Sequence, residues 1–127
     1  MELSGPLFVR ISQEIERQVL SGALSEDSQV PSTNELADFH CVNPATAAKG
    51  VSLLVDQGVL YRKRGVGVFV SRGARKQLVT ARQKAFRDEY VRPMVREAGF
   101  LDLQPGDVLQ MVSEEYSRAT TRAQVNA

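Results

Sequence analysis

Three short clusters in this 127-residue chain bring together side chains suited to binding phosphates and base edges. Ser32, Thr33 and Asn34 open the stretch VPSTNELADF, in which Ser32 and Glu35 have the spacing of a capping box. A helix start offers free backbone N–H groups, and short polar side chains beside them suit a phosphate, although a plain N-cap is a sufficient role for Ser32. Asn43, Thr46 and Lys49 line the start of NPATAAKGVSLLVDQG, within reach of base edges or nearby phosphates. Arg62, Arg64 and Gly65 sit at a glycine-bearing turn between two β-rich runs. There Gly65 and Gly67 let the backbone approach closely, so that Arg64 can reach a phosphate or a minor groove. A turn merely decorated with solubilising charge is the plainer reading of that segment.

Charge distribution favours the phosphate reading. The net charge is only +1, but no acidic residue falls between Asp56 and Asp88, while nine basic ones do: Arg62, Lys63, Arg64, Arg72, Arg75, Lys76, Arg82, Lys84 and Arg87. Residues 1–72 hold 7 Lys/Arg against 8 Asp/Glu, so that segment is polarised rather than basic. A positive stripe on a near-neutral body is the footprint of a phosphate-binding surface.

Other chemistries lack their parts. His40 and Cys41 are adjacent candidates for a metal, but the chain has no other His or Cys, short of the usual three or four ligands. The same shortage removes Cys–His catalysis, and Cys41 reads as a small buried apolar residue. There is no glycine-rich phosphate loop, triad or carboxylate pair in an apolar cleft, so neither an enzyme nor a cofactor is expected. No run of eighteen apolar residues spans a membrane, no secretion signal opens the chain, and the single cysteine allows no intrachain disulfide; a cytoplasmic location follows.

The elements that must position these clusters follow from periodicity. Pro6 to Gly22 reads as a scaffold helix, with Leu7, Ile11, Ile15 and Val19 at four-residue spacing. Ala23 to Val30 is a connector, and a second helix starts at Ser32 with Leu36, Ala37 and Phe39 as its apolar side. His40, Cys41 and Val42 form the turn, with Phe39 and Val42 packing at its corner. Asn43 then caps a third helix, Pro44 suits its first position and Gly58 stops it. Ala47, Val51, Leu54 and Val55 form its apolar rear, while Ala45, Ala47, Ala48 and Gly50 leave its front slim enough for a major groove about 12 Å wide. An ordinary amphipathic helix is the alternative for this stretch alone. After Gly58 the pattern alternates, giving a two-stranded hairpin tipped with basic residues: a wing.

Beyond the wing, Ala74 to Ala98 has helical composition, with Pro93 expected to kink it and Gly99 to end it. Pro105 opens a shorter helix to about Arg118, and residues 119–127 read as a disordered tail. Leu78, Ala85, Phe86, Tyr90 and Met94 on the first helix, with Leu109 and Val112 on the second, form apolar sides that two helices cannot bury alone. A second copy is the simplest partner, giving a two-fold dimer and an inverted-repeat operator in double-stranded DNA. A small-molecule effector stays open, with room for it only at a dimer interface or between domains. The fold class is thus mainly α with a small β wing (α+β): a winged helix-turn-helix over 1–72 and a two-helix dimerisation segment over 73–118. A winged helix serving only protein assembly is the alternative function.

The segments PLFVRISQEI, SGAL, VPSTNELA and VNPATAAKGVSLLVDQGVLYRKRGVGVFV resemble, in order and spacing, the winged helix-turn-helix of GntR-family bacterial transcription regulators, from about Pro6 to Val70. Where the family usually has an arginine this chain has Asn34, and where it often has Ser/Thr-Arg-x-Thr this chain has Asn43-Pro44-Ala45-Thr46. PSTNELA, NPAT and RGVGVFV are similar to the YtrA-like branch, whose C-terminal part is a short two-helix segment. The resemblance implies a homodimeric, sequence-specific DNA binder, usually a repressor, often of its own operon and of linked ABC-transporter genes.

Overall fold

The computed structural model describes residues 5–125, with side-chain surroundings for residues 5–122. The chain divides into two compact units, residues 1–83 and 84–127. In the first unit, helix α1 (Leu7–Ser21) turns Ile11, Ile15 and Val19 into the core and ends at Gly22, whose φ of 87° closes the helix. Helix α2 (Thr33–His40) starts at the capping box: the Glu35 N–H donates to Ser32 Oγ at 3.1 Å, and the Ser32 N–H donates to Glu35 Oε1 at 3.2 Å. Helix α3 (Pro44–Asp56) is capped by Asn43, whose Oδ1 accepts from the Thr46 N–H at 2.8 Å. Strands β1 (Leu60–Lys63) and β2 (Gly67–Val70) pair antiparallel, with Leu60 opposite Val70 and Lys63 opposite Gly67. Their connecting turn is closed by the Val66 N–H donating to the Lys63 carbonyl at 3.0 Å.

The connector after α1 does more than return the chain to the core. The Asp27 N–H donates to the Val70 carbonyl, the Val70 N–H to Ser28 and the Val30 N–H to Val68, at 2.8–3.0 Å, so residues 27–30 lie along β2 as a third edge of the wing. Val30, Leu36, Ala47, Val51, Leu54, Val59, Leu60 and Val70 join the α1 side chains in one core. Helix α4 (Ala74–Phe86) begins in the same unit: Ala74 and Leu78 are buried in that core. The division between the two units thus falls within α4.

Helices α1 and α3 touch at Gly50. A Cβ there would lie 2.8 Å from the Phe8 carbonyl oxygen and 3.1 Å from Ile11 Cγ2. Gly50 is therefore a contact point on the rear of α3 and not part of its slim front. Phe39, expected at the corner of the turn, is 78% exposed with its ring edge-on to His40; Val42 alone of that pair packs against the core. Cys41, expected to be buried, is exposed: it takes the left-handed conformation (φ 55°) that ends α2, which points its side chain away from the core.

In the second unit the last turn of α4 passes into a π-helical turn (Arg87–Val91) and then α5 (Arg92–Phe100), with the Arg92 N–H bonded to the Arg87 carbonyl. The irregularity expected at Pro93 thus lies just before it: the wider turn relieves the clash of the proline ring with the preceding turn, and Pro93 sits in the first turn of α5. Gly99 lies inside α5, and the chain reverses at Asp102 (φ 56°) instead. Helix α6 (Pro105–Val125) begins where the Gln104 N–H donates to Asp107 Oδ2 at 2.8 Å. It continues through residues 119–125, where a disordered tail is expected, because Ala119-Thr120-Thr121-Arg122-Ala123-Gln124 contains no helix breaker. The final two residues lie outside the described ones.

Candidate nucleic-acid interface

The orientation of α3 follows from its buried side. Ala47, Gly50, Val51 and Leu54 face the core, so at about 100° per residue the opposite stripe carries Ala45, Lys49, Ser52 and, at the C-terminal end of the helix, Asp56. Ala45 and Lys49 are exposed, whereas Thr46, Ala48 and Ser52 are half-buried. Lys49 and Ser52 on this face have defined partners. Lys49 Nζ lies 4.1 Å from the centre of the Phe8 ring, a cation–π contact that leans it toward α1. Arg62, although it belongs to β1, reaches over α3 and donates from Nη2 to Ser52 Oγ at 2.9 Å.

At the wing tip, Gly65 has φ 76° and Gly67 has φ 149°, conformations that favour glycine. Among the described residues Arg64 has no hydrogen-bond or ion-pair partner, and both Arg64 and Gly65 are exposed. Gln29, from the third edge, donates from Nε2 to the Val66 carbonyl at 3.2 Å. Its amide lies 2.5 Å from where a Cβ on Gly67 would stand, so the absence of a side chain at Gly67 makes this brace possible. Lys63 lies over the Phe69 ring, its Nζ 4.7 Å from the centroid.

A polar clamp ties the base of the wing to the segment leading into α4. Asp27, in a left-handed conformation (φ 62°), accepts from Arg72 Nε at 2.7 Å and from the Tyr61 hydroxyl at 3.0 Å. The Arg72 hydrogen bond first, then that from Tyr61, holds the Asp27 carboxyl below the ordinary carboxylate range. Tyr61 is pushed up, first by partial desolvation and then by its bond to Asp27. Beside the clamp, Glu26 Oε1 accepts from the Gly73 N–H at 2.8 Å. On α1, burial raises the Glu16 carboxyl, against an opposing pull from Arg82.

The structure brings Asn43, Thr46, Lys49 and Arg62 onto or beside one face of α3. Ser32 and Asn34 are exposed and Thr33 is half-buried at the start of α2, where the Ser32 oxygen is engaged in its cap. The contributions of Phe8, Ser52, Gln29 and Asp27 had no local signal, since each acts on a residue distant in sequence. Of the apolar residues expected at an interface, Leu78 is 6% exposed and belongs to the core of the first unit, so it offers no surface to a partner. Ala85 is half-buried, and Phe86, Tyr90, Met94, Leu109 and Val112 are exposed. The Phe86 and Tyr90 rings lie 5.5 Å apart. Within the second unit a groove of about 560 Å³ is lined by Met94, Ala98, Leu103, Val108, Met111 and Val112, among others. No group of three or more His, Cys, Asp or Glu among the described residues could hold a metal ion. No helix among them is long and apolar enough to cross a membrane.

Residues 7–70, just over half of the chain, match the bacterial regulatory proteins of the gntR family. The chain belongs to the GntR family. Members of this family are DNA-binding transcriptional regulators and not enzymes. This GntR-family chain is 28% identical over 86 residues to the HTH-type transcriptional repressor YtrA of Bacillus subtilis (strain 168), a match covering 68% of this chain and 66% of YtrA. A GntR-family transcriptional regulator from Bacteroides thetaiotaomicron has a similar structure, with a TM-score of 0.76 at 28% identity over 90% of this chain and 99% of that one. AraR(DBD), solved in complex with operator ORX1, is 32% identical with a TM-score of 0.52, over 56% of this chain and 86% of that one. The chain spans less than two thirds of the length of the first curated relatives it matches, 41%, 66% and 28%.

Proposed function

We propose that this GntR-family regulator is a cytoplasmic repressor of the YtrA-like kind, binding an inverted-repeat operator as a two-fold homodimer and controlling its own operon and linked transporter genes. The observation that carries the DNA reading is the outward face of α3, with Lys49 and Arg62 beside a slim helix front and an unpartnered Arg64 at the tip of the adjoining wing. A helix of this shape enters a major groove, while the wing reaches the flanking phosphates or minor groove. Ser32, Thr33 and Asn34 contact the backbone, and Asn43, Thr46 and Lys49 contact base edges or phosphates.

The exposed apolar residues of α5 and α6, and the groove beside them, support a second copy as the partner of the C-terminal helices. Bound as a dimer over a promoter, the protein excludes polymerase. Gel-shift titration against the DNA upstream of the protein's own gene, at two salt concentrations with scrambled competitor, tests this reading. A competitor-resistant shift that weakens with salt is expected. Arg64→Ala should weaken that shift at moderate salt, and an unchanged affinity rejects the role of the wing. Failure to bind any DNA overturns the whole reading in favour of a protein-assembly module.

A further inference from the structure

The polar groups over the outward stripe of α3 differ in how they are held. Asn43 commits its oxygen to the helix cap, and Lys49 rests over the Phe8 ring of α1. Arg62 crosses from the wing onto α3, where Ser52 accepts from one of its terminal nitrogens at 2.9 Å. Ser52 stands seven residues beyond Ala45, about two turns along the same side of the helix. A guanidinium carries five N–H donors in a planar fork, so a single bond to Ser52 leaves most of the fork unused.

We propose that Ser52 is a positioning residue that holds Arg62 on the outer face of α3, and that Arg62 held there reads a guanine in the major groove. This rests on the DNA-binding reading above. An arginine at the edge of a wing strand, free to move, meets phosphates as readily as bases. Tied to α3, it enters the groove with the helix, and the small Ala45 on the same stripe lets that helix approach closely. Guanine presents O6 and N7 as paired acceptors that match two parallel N–H groups, a pattern no other base offers in the major groove. Pre-positioning the fork lowers the ordering cost of that contact.

The test uses the full chain. Its preferred site is selected from random-sequence duplexes, and affinities for every single-base-pair variant of that site are measured at two salt concentrations. The wild type should show one G·C pair per half-site whose replacement weakens binding by about 10- to 100-fold. Arg62→Lys keeps the charge but not the fork, so it should erase the preference at that pair while leaving the other positions and the salt slope unchanged. Ser52→Ala should reduce the preference at the same pair to a few-fold, and Ser52→Thr should restore it. Its melting temperature should match the wild type, since alanine is well tolerated in a helix. A base-pair profile unchanged in Ser52→Ala overturns the proposal. So does a uniform loss of affinity with a shallower salt slope in Arg62→Ala, which marks a phosphate contact. A wild type without any sequence preference sinks the DNA-binding reading itself, whereas a preference indifferent to Arg62 sinks this inference alone.

Discussion

The two units of this chain treat similar apolar side chains in opposite ways. In the first, three helices, a hairpin and the start of α4 close around Ile15, Leu54, Leu60 and Val70, leaving each almost no accessible surface. In the second, Ala98 is the buried apolar residue among the described ones, while Phe86 is 59% and Leu109 70% exposed. Hydrophobicity of the residues is not what differs. A core needs walls on several sides, and two helices joined by a short loop supply too few. A segment of this size, near 40 residues, normally needs a metal, disulfides or a partner for stability, and the second copy proposed above would supply the missing wall. The contrast is between a unit with its own closed core and one whose apolar side chains remain exposed.

The sharpest way to break that contrast is to remove one large aliphatic side chain from each unit. Leu54→Ala empties a fully enclosed site and should destabilise the first unit by about 2–5 kcal/mol, measured by urea denaturation. A smaller loss is expected from Gly50→Ala, roughly 1–3 kcal/mol by the same measurement. The Phe8 backbone oxygen cannot swing aside as a side chain could, so α1 and α3 must separate and operator affinity should fall as well. Leu109→Glu is expected to leave the first unit's stability within about 0.5 kcal/mol, because Leu109 has no core to leave. If the second copy proposed above packs here, light scattering should show a halved particle mass. A stability loss like that of Leu54→Ala, with mass unchanged, would erase the distinction between the units.

The smallest effect sharpens the picture of the first unit's periphery. Asp27→Asn keeps a residue tolerant of left-handed backbone while removing the charge that Arg72 and Tyr61 engage. The carboxyl is held below its unfolded value near 4, so the stabilisation is complete above that value and fades as pH falls through the lower folded one. The difference in melting temperature between wild type and Asp27→Asn should therefore be present at pH 7, shrink below about pH 4 and vanish in stronger acid. Being exposed, the clamp should also weaken with added salt.

Local signals in the sequence were dependable where the physics is local. Ser32 with Glu35, and Asn43 before Pro44, announce their helices because a cap is a bargain between residues three apart. The glycines around Arg64 announce the hairpin for the same reason. Gly50 misleads, since a missing side chain looks alike whether it faces a groove or a neighbouring helix. Phe39 and Leu78 mislead because apolar character states a preference for burial without saying whether the fold can meet it. The π-helical turn before Pro93 was foreshadowed only as a kink, since the ring demands relief without prescribing its form.

The sequence by itself determined the order of helices and wing, the start and stop points of those in the first unit within a few residues, and the family to which they belong. These follow from capping, periodicity and turn chemistry, all acting over a few residues of chain. Only the tertiary structure decided which polar groups share the outward face of α3. Lys49 meets Phe8, Arg62 meets Ser52, Gln29 braces Val66 and Asp27 receives Arg72 across 10 to 45 residues of sequence. Such pairs exist only once packing has brought separate elements together, so neither composition nor spacing along the chain encodes them in readable form.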